Sequence, residues 1–233
     1  MPVQPARLAM TLAAIAILAA GCSVGSSRTF AFTLTYAVGP SAGASPTDQD
    51  VQAVAISIGA RLSQTGLADY RVRTPGSGMI TVEAAPASAI ETARAMATTP
   101  GRLSLVPLGQ ATAKPKDALD VGTHPPLLGE RDVTHSTIGK DPAGGPAVTL
   151  QLTQPAAQAF FTWTSTHVGE TLAVVMDGVI VAASAVTGPI DGGLVTVGGF
   201  DAAGAGAFAA LVNGGPLAFP VTEVQAPGAS PSP

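Results

Sequence analysis

The stretch 172–184, Leu-Ala-Val-Val-Met-Asp-Gly-Val-Ile-Val-Ala-Ala-Ser, restricts the fold more than any other part of the chain. Two runs of β-favouring residues flank Asp177 and Gly178, and an Asp-Gly pair supplies the two positive-φ positions that a type I′ turn needs. The spacing predicts a buried β-hairpin with a two-residue loop. Turn geometry by itself explains Asp177, so Asp177 and Gly178 are read as structural residues without chemistry.

The N-terminus is the second constraint. Arg7 precedes an apolar run at 8–20 that is too short to span a bilayer as a stable helix and has the length of a signal-peptide core. The run ends in Leu18-Ala19-Ala20-Gly21-Cys22, which resembles the lipobox of bacterial lipoproteins, whose cysteine becomes the mature N-terminus. Cys22 is the only cysteine, so no disulfide can form within the chain, and acylation accounts for a lone thiol outside the cell. Residues 1–21 are therefore expected to be a lipoprotein signal peptide, Cys22 the site of lipid (palmitate) attachment and 22–28 a small, polar tether. Cleavage after residue 21 leaves ten basic against fifteen acidic side chains, a net charge of −5, so lipid rather than charge would hold the domain at a membrane. Each buried CH₂ contributes about 0.8 kcal/mol; one acyl chain is marginal and several anchor stably. No later segment reads as a membrane span. The basic residues form no run that could track a phosphate backbone, which argues against nucleic acid.

At 46% hydrophobic and 11% charged over 233 residues, the chain can bury one or two domain cores. Phe30, Phe32, Leu34 and Tyr36 alternate with Ala31, Thr33 and Thr35, which predicts a strand. After a loop at 39–46, Thr47 and Asp50 form a capping box, and Val51, Val54, Ala55, Ile58 and Leu62 follow at helical spacing until Gly66. Strands at 67–73 and 79–84 around Pro75-Gly76-Ser77-Gly78, a helix at 87–96 and a strand at 102–108 complete a βαββαβ order. That order predicts an antiparallel sheet with helices on one face. Residues 110–145 are poor in periodicity and are broken by Pro115, Pro125, Pro126 and Pro142, so they are expected to join two lobes. Beyond them come a strand at 147–152 and a helix capped by Thr153 and Pro155, with Ala159, Phe160 and Trp163 facing inward. The hairpin follows, then a strand at 194–197, a helix capped by Asp201 and ended by Gly214, and a last strand at 217–224. The tail 226–233 reads as disordered. The fold class expected is α+β in two lobes. Residues 29–108 form a ferredoxin-like βαββαβ, 109–146 a junction, and 147–225 an antiparallel sheet with helices.

Leu127-Leu128-Gly129-Glu130-Arg131-Asp132-Val133, Gly145-Pro146-Ala147-Val148, the stretch 169–184, Pro189-Ile190-Asp191-Gly192-Gly193, Gly199-Phe200 and Asn213-Gly214-Gly215-Pro216-Leu217 stand in a recognisable order and spacing. The chain resembles the first large periplasmic domain of SecD over 50–222, and from about residue 127 it resembles the head subdomain of SecD and SecDF. Gly66-Leu67 and Gly101-Arg102-Leu103 extend the resemblance into the first lobe, whereas the Gly-Gly motif of the family's first strand is absent after 29–38. The resemblance implies work beside the Sec translocon and contact with exported or unfolded polypeptide. SecD-type proteins use a proton gradient through polar residues of transmembrane helices, which no segment here resembles. The implied role is thus passive holding, with lipid on Cys22 placing the domain on the extracytoplasmic side of the cell membrane. A scaffold for one folded envelope partner is the alternative.

Four patterns invite a reading as chemistry or binding. Gly39-Pro40-Ser41-Ala42-Gly43 fits the G-x-S-x-G nucleophile pattern, but the elbow needs a tight strand-to-helix turn, an acid and then a histidine. Several loop residues separate Ser41 from its helix, and His167, the last histidine, precedes Asp177, Asp191 and Asp201. Asp120 or Asp132 would have to serve with His135 or His167, and no spacing supports that. A hydrolase on Ser41 is the least favoured reading, and no catalytic residue is assigned. Gly204-Ala205-Gly206-Ala207-Phe208-Ala209, with Glu223 roughly twenty residues on, imitates a dinucleotide fingerprint but falls inside a helix, so no cofactor is assigned. His124, His135 and His167 lie far apart without a cysteine pair, so no metal is assigned. Phe160, Phe161 and Trp163 offer an aromatic patch, of which helical spacing assigns at least one or two to the core.

Overall fold

The computed structural model describes residues 29–224. Cys22, the leader, the tether and the tail at 226–233 lie outside the described residues. The alternating segment forms β1 (Phe32–Val38), with Leu34, Tyr36 and Val38 buried. Helix α1 (Asp48–Gln64) begins at a capping box, in which the Thr47 hydroxyl accepts the Asp50 N–H and the Asp50 carboxylate accepts the Thr47 N–H at 2.9 Å. There follow β2 (Asp69–Gly76), β3 (Met79–Ala85), α2 (Ile90–Thr98) and β4 (Leu103–Gly109). The second half contains β5 (Leu128–Gly129), β6 (Val133–Lys140), β7 (Pro146–Leu152), α3 (Gln154–Thr166), β8 (Thr171–Met176) and β9 (Val179–Ala185). It closes with β10 (Leu194–Val197), α4 (Ala202–Gly214) and β11 (Val221–Glu223).

These strands build three antiparallel sheets, in the orders β11-β1-β3-β2, β5-β4-β8-β9 and β10-β7-β6. The architecture is α+β in two lobes, but two strands trade places between them. In a ferredoxin-like βαββαβ the fourth strand lies beside the first. Here that position is taken by the last strand of the described chain, as Tyr36 pairs with Glu223 and Val38 with Val221. Strand β4 instead pairs with β8, Leu103 opposite Met176 and Leu105 opposite Val174. The chain therefore crosses between lobes at about 99–102 and again at 215–220. β11 is fixed at its edge by Arg94 of α2, whose Nε donates to Glu223 Oε2 at 2.6 Å. It is shorter than the alternation at 217–224 suggests, because Pro216 and Pro220 have no N–H to give a ladder. Leu217 N–H donates to Pro100 O, and Gly39 N–H to Pro220 O, instead.

Two further differences have local causes. Strand β6 lies inside the stretch expected to lack periodicity. It is an edge strand in which only Ser136 is buried, and its register slips between Val133 and His135, so its sequence shows no apolar alternation. In α3 the inward face is Ala156, Phe160 and Thr164; Ala159 is exposed and Trp163 half-buried, because the face follows the i, i+4, i+8 line through Phe160. One hydrophobic core runs through both lobes, from Tyr36 and Ile58 to Phe160, Val195 and Phe208, and α1 packs against α4 across the boundary. Among the described residues no helix is long and apolar enough to cross a membrane.

Candidate functional site

Two of the three sheets end on strands that flank the same groove. At the tip of the β8–β9 hairpin, Asp177 and Gly178 have φ of 52° and 78°, and Met176 pairs directly with Val179. The segment 116–119 covers the outer edge of β9 near this tip: Lys116 N–H donates to Ile180 O at 2.8 Å, Ile180 N–H to Asp117 O at 2.9 Å and Leu119 N–H to Gly178 O at 2.8 Å. One extra residue, Val181, then bulges β9 between the pairs Val175–Ile180 and Val174–Ala182. A bulge bends a strand and increases its twist. From there to Ala185 β9 is the outermost strand of its sheet, and β10 is likewise outermost in its own.

Between the two edges lies a cavity of about 440 Å³. Its floor is the core itself, with Phe160, Leu172, Val174, Val186 and Ile190, and its walls are small or β-branched. No lining residue is charged; Ser184, Thr187 and Thr196 are the only hydroxyl-bearing side chains among them. Two of its lining residues are held by hydrogen bonds. Ile190 N–H donates to Thr164 Oγ1 at 3.0 Å, and Val186 exchanges bonds with Glu170 O and Gly169 N–H, each 2.8 Å. An apolar trough beside unpaired strand edges suits an extended backbone, which adds as a strand while alternate side chains enter the trough.

A second, polar constellation lies where the chain crosses between lobes. Arg61 of α1 is wholly buried. Its Nη1 donates to Met96 O and Thr99 O, its Nη2 to Pro100 O at 2.8 Å and Gly215 O at 2.6 Å, and its Nε to Gly215 O. These carbonyls lie at the C-terminal ends of α2 and α4, where the helix dipole favours a cation. Burial pulls the guanidinium down to about 10, and the negative Asp177 opposes that shift, so Arg61 remains charged at neutral pH. Asp177 belongs to the same cluster: its carboxylate accepts Gly101 N–H at 2.9 Å and Arg102 N–H at 2.8 Å. The hairpin tip is therefore a turn and also a fastening for the first crossing. Sequence reasoning missed Arg61, although it sits on the apolar face of α1 beside Ile58 and Leu62, which was the available signal.

The other residues singled out by pattern do not converge. Ser41 lies in a small turn that exchanges backbone bonds with Ala44. His124 contacts Thr123 and Asp120 O, His135 contacts Thr134, and His167 stacks on Trp163 with ring centroids 4.6 Å apart. Gly204 is inside α4, where Asp201 caps its N–H at 2.6 Å, and Glu223 is engaged by Arg94. Phe160 is in the core and Phe161 36% exposed. Among the described residues no group of three metal-ligating side chains is assembled.

The groove, all of it between Phe160 and Gly198, lies within a recognised region. Residues 110–219 match the SecDF P1 head subdomain. The SecD protein translocase subunit of Acidaminococcus fermentans is 33% identical over 100 residues, 42% of this chain and 24% of that protein. The SecD subunit of Rhodobacter capsulatus is 31% identical over 101 residues, 43% of this chain and 18% of that protein. The chain thus spans a quarter or less of the length of these relatives. In fold it is similar to SecDF in a super-membrane-facing form, with a TM-score of 0.70 at 20% identity over 83% of this chain and 29% of that one. It is also similar to a structure of SecDF, a membrane component that enhances protein export, with a TM-score of 0.68 at 21% identity over 84% of this chain and the whole of the other. Residues 110–219 are thus similar to the SecDF P1 head subdomain, and the described chain is similar in fold to SecDF structures.

Proposed function

We propose that this SecD-like domain is a non-catalytic holder of exported, still unfolded polypeptide, anchored by lipid on Cys22 at the extracytoplasmic face of the cell membrane and working beside the Sec translocon. The observation that carries the reading is the uncharged groove between β9 and β10, with its apolar floor and two strand edges. Strand addition reads backbone rather than side chains, so it suits a client of many sequences. Nothing in this mode consumes energy, and the protein hands its client on passively.

The test uses a fluorescent ten-residue peptide of alternating Val and Ser, and the same peptide N-methylated on alternate amides. The first binds and the second does not, because methylation removes the donors a strand edge needs. The pair Ser184→Arg with Thr196→Arg, both exposed on the groove lining, weakens binding about tenfold, ~1.4 kcal/mol. Equal binding of both peptides, or binding indifferent to the two arginines, overturns the reading. Capture of one folded protein with indifference to unfolded chains supports the scaffold instead. The anchor is tested separately: a labelled fatty acid enters the wild-type protein and not Cys22→Ala.

A further inference from the structure

Among the described residues two stretches of backbone join the lobes, and one side chain grips both. Arg61 reaches the first crossing at Thr99 and Pro100 and the second at Gly215, while Leu217 N–H donates to Pro100 O at 2.8 Å and ties the crossings to each other. The chain is shaped around this fork on both sides. Gly101 has a φ of +80°, and a Cβ there would come within 2.5 Å of Arg61 Nη2; a Cβ on Gly214 would overlap Arg61 Cγ and crowd the Ser57 carbonyl. A glycine on the first crossing and one at the end of α4, just before the second, therefore make room for the same arginine. On the far side of the first crossing the Asp177 carboxylate holds Gly101 N–H and Arg102 N–H, so the strand is pinned from α1 and from the hairpin at once.

We propose that Arg61 is a lock on movement of one lobe against the other: the shared core and the α1–α4 packing hold the lobes together, and the guanidinium, by bonding both crossings, fixes a single orientation that loosens when it leaves. Lysine cannot replace it, since one ammonium has three donors around a point, whereas the planar guanidinium spans separate carbonyls. The lock is independent of what occupies the groove, and its test reads geometry rather than binding.

The experiment places spin labels at Ile56→Cys, on an exposed part of α1, and at Ser184→Cys on β9, in the full chain carrying Cys22→Ser. With Arg61 present the labels give one narrow distance. Arg61→Met, which keeps the apolar stem, broadens it or adds a second population, and Arg61→Lys does the same. A folded Arg61→Met protein with the unchanged narrow distance overturns the lock. Hydrogen exchange on the unsubstituted protein tests it without relying on a variant. The amides of Gly101 and Leu217 are expected to exchange as slowly as those of β8; exchange at least a hundredfold faster than β8 overturns the proposal.

Discussion

The lobe crossing and the groove treat the backbone in opposite ways. At the crossing four carbonyls, those of Met96, Thr99, Pro100 and Gly215, are all met by the wholly buried Arg61. At the groove the outer edges of β9 and β10 are left as edges, over a floor of Phe160, Leu172 and Val174. Both regions belong to the same continuous core, so burial does not separate them. What separates them is hydrogen-bond completion. A buried polar group must find its partner inside the protein, which fixes geometry, whereas an open edge leaves its partner to be supplied from outside.

Arg61→Met attacks this contrast most strongly. It leaves the buried Met96 carbonyl and three part-buried ones without their donor, a buried one costing about 1–3 kcal/mol when unpaired, and is expected to lower the unfolding free energy by ~2 kcal/mol or more in urea at neutral pH. A loss below ~1 kcal/mol would mean that water satisfies those carbonyls and that the crossing is as open as the groove. Gly178→Val comes next. It forces a β-branched residue to a φ of 78° at the tip that carries both a groove wall and the Asp177 fastening, at about 1–3 kcal/mol. A melting temperature equal to wild type would remove the hairpin from the comparison.

Thr47→Ala, at the start of α1, acts on local capping alone and is expected to cost about 1 kcal/mol in the same denaturation. Hydrogen bonds from Thr47 hold the Asp50 carboxyl below its ordinary 3.8. A depressed acid stabilises the fold above its unfolded value and loses that contribution as pH falls through its folded one. The stability gap between wild type and Asp50→Asn should therefore be constant above pH 5 and close below pH 3.8. Smallest of all is the effect of Ser184→Arg with Thr196→Arg on stability, within about 0.5 kcal/mol, since both are exposed. If that pair destabilises the fold as much as Gly178→Val, the groove is part of the scaffold and the contrast fails.

Local chemistry explains which parts of this molecule could be read from sequence. The hairpin announced itself through Asp177-Gly178, and α1 through Thr47 and Asp50, because turn and cap signals lie within four residues of each other. Strand β6 left no such mark: His135, Thr137 and Gly139 at a sheet edge need no apolar alternation. The exchange of β4 for β11 was also illegible, since Leu103 and Val221 would pattern alike in either sheet and the choice of partner is settled by the rest of the chain. Arg61 interrupts the apolar stripe of α1, and its acceptors come from two crossings too distant in sequence to signal it. The groove's floor was legible only in part, through Phe160 on the inward face of a helix and Leu172 and Val174 within the buried hairpin, and a gap between two sheets belongs to no single segment.

Strand β11 ties the beginning of the described chain to its end, because Tyr36 waits for Glu223, 187 residues later. Closing so long a loop adds little to the entropic cost, about 0.6 kcal/mol for each doubling of length, but it sets an order in time. Until Val221 has been made, β1 lacks its neighbour on that side, and the first sheet has an unfinished edge of the kind that pairs with other chains. A product terminated anywhere before β11 is therefore sticky along β1, and it is β11 that covers this edge of the first sheet.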